Sequence, residues 1–182
     1  AVTKTGHVGV IGTRGTLTSA KFGKLMASLA DQAHFVVQPC DGLAHAIERS
    51  VALPVADQGS PVHATETGAL CARYVQAMGS FGTAPGQMDT LVLGCTHYIF
   101  VAHELRALVG PGVQFIETGE PVARQTRRLL ETAGLKAAPD GAVVTDAPRT
   151  RLLTTGPVAM LQAAAERWLG LPADCCETVS VP

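Results

Sequence analysis

Charge is scarce in this chain. Only 16% of its 182 residues are charged, the formal net charge is −1, and no Lys/Arg cluster occurs. A nucleic-acid surface is therefore not expected, because phosphate binding needs a basic patch. Long apolar runs are also missing, so no membrane-spanning helix is expected. The five cysteines, Cys40, Cys71, Cys95, Cys175 and Cys176, are irregularly spaced and contain no C-x-x-C pair. That spacing speaks against a zinc site or a disulfide framework and for reduced thiols in a cytoplasmic protein. No metal-ligand cluster occurs, and no lysine is set for a Schiff base, so cysteine chemistry here is expected to need no cofactor. The opening stretch, AVTKTGHVGVIGT, does not have the form of a signal peptide. It also lacks a methionine and runs into a strand six residues on, so the natural sequence is expected to start upstream.

What is present is core material. The hydrophobic fraction is 47%, over a length suited to one domain. HVGVIGT (7–13) reads as a buried parallel strand. SAKFGKLMASLA (19–30) spaces Phe22, Leu25, Met26 and Leu29 as one helix face. HFVVQPC (34–40) is a strand stopped by Pro39, and 41–50 is a helix with Leu43, Ala46 and Ile47 on one face. A loop over 53–61 precedes a helix over 63–78. A second loop, 79–87, precedes the strand MDTLVLGC (88–95). A helix over 99–108, a strand over 113–118 and a helix over 121–133 follow, the last with Val122, Thr126, Leu129 and Leu130 inward. After a linker over 134–150 come a strand (RLLTTG), a helix (PVAMLQAAAERWLGL) and a last strand (CCETVSVP). Alternating strands and helices predict an α/β fold with a mainly parallel sheet flanked by helices.

In such sheets, ligands bind outside the carboxyl ends of the strands. Two of those ends carry the most chemistry. GTRGTLTS (12–19) sets Thr13 and Thr16 before a helix, where hydroxyls and free N–H groups can hold an anion. Plain N-capping by Thr18 or Ser19 would account for the same residues. GCTHY (94–98) ends a strand on Cys95, near a helix N-terminus that favours a thiolate. Thr96 adds a hydroxyl, and His97, two residues on, can exchange a proton near neutral pH. Core filler beside a surface histidine is the competing reading. The other cysteines read as buried structural thiols, and His45 can share a helix face with Glu48.

LVLGCTHY closely resembles the second-cysteine signature of glutamate racemases, in the cofactor-independent aspartate/glutamate racemase superfamily. GHVGVIGTRGTLTSAKF, Cys40 through Glu48, FIETGEPVARQTRRLL and RLLTTGP match further segments of that family, so the resemblance covers essentially the whole chain. It implies one of two pseudo-symmetric α/β halves, residues 1–134 forming the second racemase domain. Residues 135–182 would be a linker and return segment packing on the first half. Its apolar Leu152, Leu153, Met160, Leu161 and Trp168 would be exposed without that half.

The resemblance further implies interconversion of L- and D-glutamate for peptidoglycan by two thiols on opposite faces of Cα. Cys95 would be one acid/base, His97 its tuning partner and Glu48 a helper carboxylate. Thr96, Thr13 and Thr16 would hold the substrate, with no metal and no cofactor. A homodimer stays open. The family's A-C-N-T motif with the first cysteine is absent, since none of the five cysteines precedes Asn-Thr, and Ile99 replaces the usual proline. The 182 residues alone are therefore expected to racemise little or nothing. A one-cysteine superfamily reaction, or a carboxylate-binding fragment without activity, is the alternative.

Overall fold

The computed structural model describes residues 2–51, 65–136 and 150–181. They fall into two compact units: 2–48 with 65–124, and 49–51 with 125–136 and 150–181.

The first unit is built on four strands: β1 (His7–Gly12), β2 (His34–Pro39), β3 (Thr90–Leu93) and β4 (Gln114–Ile116). All pairings are parallel, in the order β2-β1-β3-β4. β1 is buried from Val8 to Gly12, as an unbroken apolar run in a parallel sheet requires. Helices α1 (Arg14–Leu17) and α2 (Ala20–Leu29) connect β1 to β2. Helices α3 (Leu43–Ser50) and α4 (Glu66–Met78) lie between β2 and β3, and α5 (Ala102–Val109) joins β3 to β4. Ser19 caps α2 by accepting a hydrogen bond from the Phe22 N–H, so the capping expectation holds for Ser19. The chain leaves β1 on one side for β2, then returns to the other side as β3. The carboxyl ends of β1 and β3 thus flank the switch point where α/β sheets bind ligands.

Helix α3 is anchored by fully buried Leu43 and Ile47 with Ala46, the face its spacing predicts. Burying two such side chains stabilises the helix by about 3–6 kcal/mol in all. That holds the neighbouring Glu48 in place on the exposed side.

Two expectations need correction. The helix predicted over 99–108 is a 3₁₀ turn over Tyr98–Val101 followed by α5, because Val101 leaves helical geometry (φ −118°, ψ 20°). Helix α6 (Gly119–Thr132) forms, but its predicted inward face is not buried. Val122 is 62% exposed, and Leu129 and Leu130 are exposed as well. Periodicity identifies the apolar side of a helix and is silent on what covers it. The 53–61 loop, His63 and nearly all of the 134–150 linker lie outside the described residues.

In the second unit, β5 (Leu152–Thr154) pairs parallel with β6 (Cys176–Thr178). Helix α7 (Val158–Ala164) runs on into a π-helical turn, Ala165–Leu169, and ends at left-handed Gly170. A small core of Ala165, Cys175 and Cys176 takes Leu152, Val158, Leu161 and Leu171 against it. The Arg167 guanidinium donates to the Ser50 carbonyl at 2.6 Å. Of the apolar residues named for the return segment, Leu153 and Met160 are exposed. Leu152, Leu161 and Trp168 are half-buried instead, the two leucines on this small core.

Candidate active site

The site is assembled by the turns that leave β1, β2 and β3, together with α3. Its position depends on Gly94. The Gly94 N–H donates to the Ile11 carbonyl at 2.7 Å, drawing the end of β3 tightly against β1. A Cβ at position 94 would stand 2.7 Å from that same oxygen, so only glycine fits. Cys95 follows at once and is half-buried, whereas the other four cysteines are buried.

Three predicted residues come together. The Cys95 sulfur lies 3.7 Å from Nδ1 of His97, and Nε2 of His97 lies 2.8 Å from Oε1 of Glu48. With Nε2–H donating to the carboxylate, Nδ1 faces the sulfur as the acceptor for its S–H. The same geometry lets an imidazolium donate back to a thiolate. A nucleophile or base oriented by a second group, itself oriented by a third, is the recurring arrangement for an activated side chain. The other carboxylate oxygen of Glu48 lies 3.9 Å from Nδ1 of His45, one helical turn earlier.

Thr13 and Thr16 also meet, their hydroxyls 3.0 Å apart in the turn that leaves β1. Thr96 is exposed beside Cys95. Cys40 stays out of this chemistry. It is 2% exposed, and burial pushes its thiol up to about 12, against the smaller opposing effect of its hydrogen bonds. Cys71 is pushed up to about 12 by the same cause.

Sequence reading missed the surrounding braces. Arg14 pairs with Asp41 across 27 residues, which no local spacing announces. The Tyr98 hydroxyl donates to the Cys40 carbonyl at 3.4 Å, and the Tyr74 hydroxyl to the Asp41 carbonyl at 2.6 Å. Among the described residues, no group of three or more His, Cys, Asp or Glu side chains could hold a metal ion. No described helix is long and apolar enough to cross a membrane.

Known proteins are similar to this chain in sequence and in fold. No protein-family model matches the chain. A glutamate racemase from Ectopseudomonas mendocina is 37% identical over 170 residues, 93% of this chain and 57% of that protein. The chain is similar to glutamate racemases over most of its length. It spans about half the length of the curated relatives it matches. The crystal structure of a glutamate racemase isoform from Bacillus anthracis superposes with a TM-score of 0.71 at 27% identity, over 100% of this chain and 60% of that one. The Escherichia coli glutamate racemase, solved with L-glutamate and an activator, UDP-MurNAc-Ala, has the same fold at 23% identity and a TM-score of 0.68. These relatives match the expected α/β architecture with its parallel sheet.

Proposed function

We propose that these 182 residues form one face of a glutamate racemase active site, supplying D-glutamate for peptidoglycan in the cytoplasm. The observation that carries the proposal is the Cys95–His97–Glu48 chain at the sheet's switch point, in a chain similar to glutamate racemases. Residues 1–134 are read as the second racemase domain and 135–182 as the linker and return segment.

The chemistry follows from the weak acidity of the glutamate Cα proton. The Cys95 thiolate takes that proton, so an S–H bond forms as the Cα–H bond breaks. The electron pair left on carbon spreads into the adjacent carboxylate. A second thiol on the opposite face returns a proton and inverts the centre. In the reverse direction, Cys95 is the donor. His97 balances the charge on sulfur, and Glu48 holds His97 in the tautomer that faces it. The hydroxyls of Thr13, Thr16 and Thr96 hold the substrate's carboxylates and oppose the charge that develops on them. On this reading the second thiol comes from outside the 182 residues, in keeping with the burial of Cys40, Cys71, Cys175 and Cys176.

The test is circular dichroism of L-glutamate incubated with the 182-residue chain, alone and joined behind a first half carrying the family's A-C-N-T cysteine. Turnover is expected only from the joined protein. Robust turnover by the chain alone would overturn the one-thiol reading. Turnover of an arylmalonate or a hydantoin in place of glutamate would overturn the substrate.

A further inference from the structure

Arg14 has no part in the chemistry above, although it sits between the two hydroxyls of Thr13-Arg-Gly-Thr16. Helix α1 is a single turn with no side-chain cap at Thr13. It is held from below by Leu17, which is buried under Gly12. From above, it is held by the Arg14 guanidinium. Nε donates to both carboxylate oxygens of Asp41 at 3.1 Å, and a second guanidinium nitrogen closes the pair on Oδ2.

Asp41 is itself well anchored. Its carbonyl accepts from Tyr74, the preceding Cys40 N–H donates to Gly12, and the Cys40 carbonyl accepts from Tyr98. Tyr98 is fully buried and follows His97 directly. Hydrogen bonds therefore run from the Cys95–His97 turn, through Tyr98 and the 40–41 turn, to Arg14 and the threonine turn.

We infer that Arg14 and Asp41 are positioning residues, a latch that fixes the Thr13 and Thr16 hydroxyls for the substrate carboxylate. The inference rests on the reading of that turn as the carboxylate holder. Both side chains are exposed, 61% and 53%, and such a pair adds little to global stability. A planar guanidinium gripping both carboxylate oxygens fixes direction as well as distance, which a lysine cannot reproduce. Asp41 also occupies the guanidinium, so Arg14 acts on the substrate through the turn it holds rather than as a direct anion ligand.

The two roles give opposite signs on loss of Asp41. The experiment uses the 182-residue chain with Arg14→Ala, Arg14→Lys, Asp41→Asn and the exchanged pair Arg14→Asp/Asp41→Arg. L- and D-glutamate binding is measured by calorimetry, and the Thr13 and Thr16 amide and methyl signals by NMR. Arg14→Ala and Asp41→Asn should each shift those signals and weaken glutamate binding about fivefold, with the melting temperature unchanged. Arg14→Lys should recover part of the affinity, and the exchanged pair most of it. Tighter binding in Asp41→Asn would overturn the latch and make Arg14 the ligand. Threonine signals unmoved in Arg14→Ala would overturn it as well. Should the unaltered chain bind no glutamate, the carboxylate-holder reading fails, while the threonine signals still decide whether the latch exists.

Discussion

Cys40 and Cys95 both close a parallel strand at the same edge of one sheet, and the structure treats them in opposite ways. Cys40 follows Pro39, turns inward and donates its S–H towards the Gln38 carbonyl at 3.6 Å. Its carbonyl takes the Tyr98 hydroxyl, and burial pushes its thiol up to about 12. Cys95 follows Gly94, which grips β1, and is only half-buried at the switch point. A histidine faces that sulfur, and a carboxylate faces the histidine. A cysteine at a strand end is thus no sign of chemistry by itself. Exposure and a titratable partner make the difference.

Removing each thiol in turn gives the largest effect. In the joined two-half protein, Cys95→Ser should cut racemisation about 10²–10⁴-fold in both directions, measured by circular dichroism. Cys40→Ser should leave the rate nearly unchanged and cost about 1–3 kcal/mol in urea unfolding, through a buried hydroxyl with a poorer partner. Glu48→Gln comes next. An amide still reaches His97 but cannot balance an imidazolium, so kcat should fall about tenfold to a hundredfold with the fold intact by far-UV dichroism. Gly94→Ala tests what sets the two strand ends apart. Its methyl would strike the Ile11 carbonyl, and a loss of about 1–3 kcal/mol is expected in urea unfolding.

The other end of β3 supplies the smallest effect and a control. Asp89 is buried there and accepts from the Thr3 and Thr90 hydroxyls and the Lys4 and Thr5 N–H groups. Burial alone would raise its pKa. The four hydrogen bonds outweigh that and hold the carboxyl well below the ordinary carboxylate range. A carboxyl depressed by folding stabilises the protein above its unfolded value, about pH 4, and that contribution is lost as pH falls towards the folded value. Wild type should therefore lose about 1–2 kcal/mol along this acid limb, read from urea midpoints between about pH 5 and 2. Asp89→Asn should be less stable at pH 7 and lack this part of the acid dependence.

Much of the scaffold was legible because its signals are local. Apolar runs closed by glycine or proline mark β1, β2 and β3, and the 43, 46, 47 spacing marks the buried face of α3. The nearness of Cys95 and His97 is likewise a matter of two residues. Glu48 is 49 residues from His97, and only family resemblance pointed to it. Nothing local pairs Arg14 with Asp41, because that contact exists only once β1 and β2 lie side by side. The apolar stripe of α6 was visible as periodicity, but its exposure depends on what lies beyond it.

The central claim is that the Cys95 sulfur exchanges a proton with Cα of glutamate. NMR can follow Cα deuterium uptake from D₂O into L- and D-glutamate, for the joined protein and its Cys95→Ser variant. Unaltered protein should label and interconvert both enantiomers. The variant should stop interconverting them and lose labelling of the enantiomer whose proton faces Cys95. Labelling and interconversion of both enantiomers near the unaltered rate would contradict the assignment.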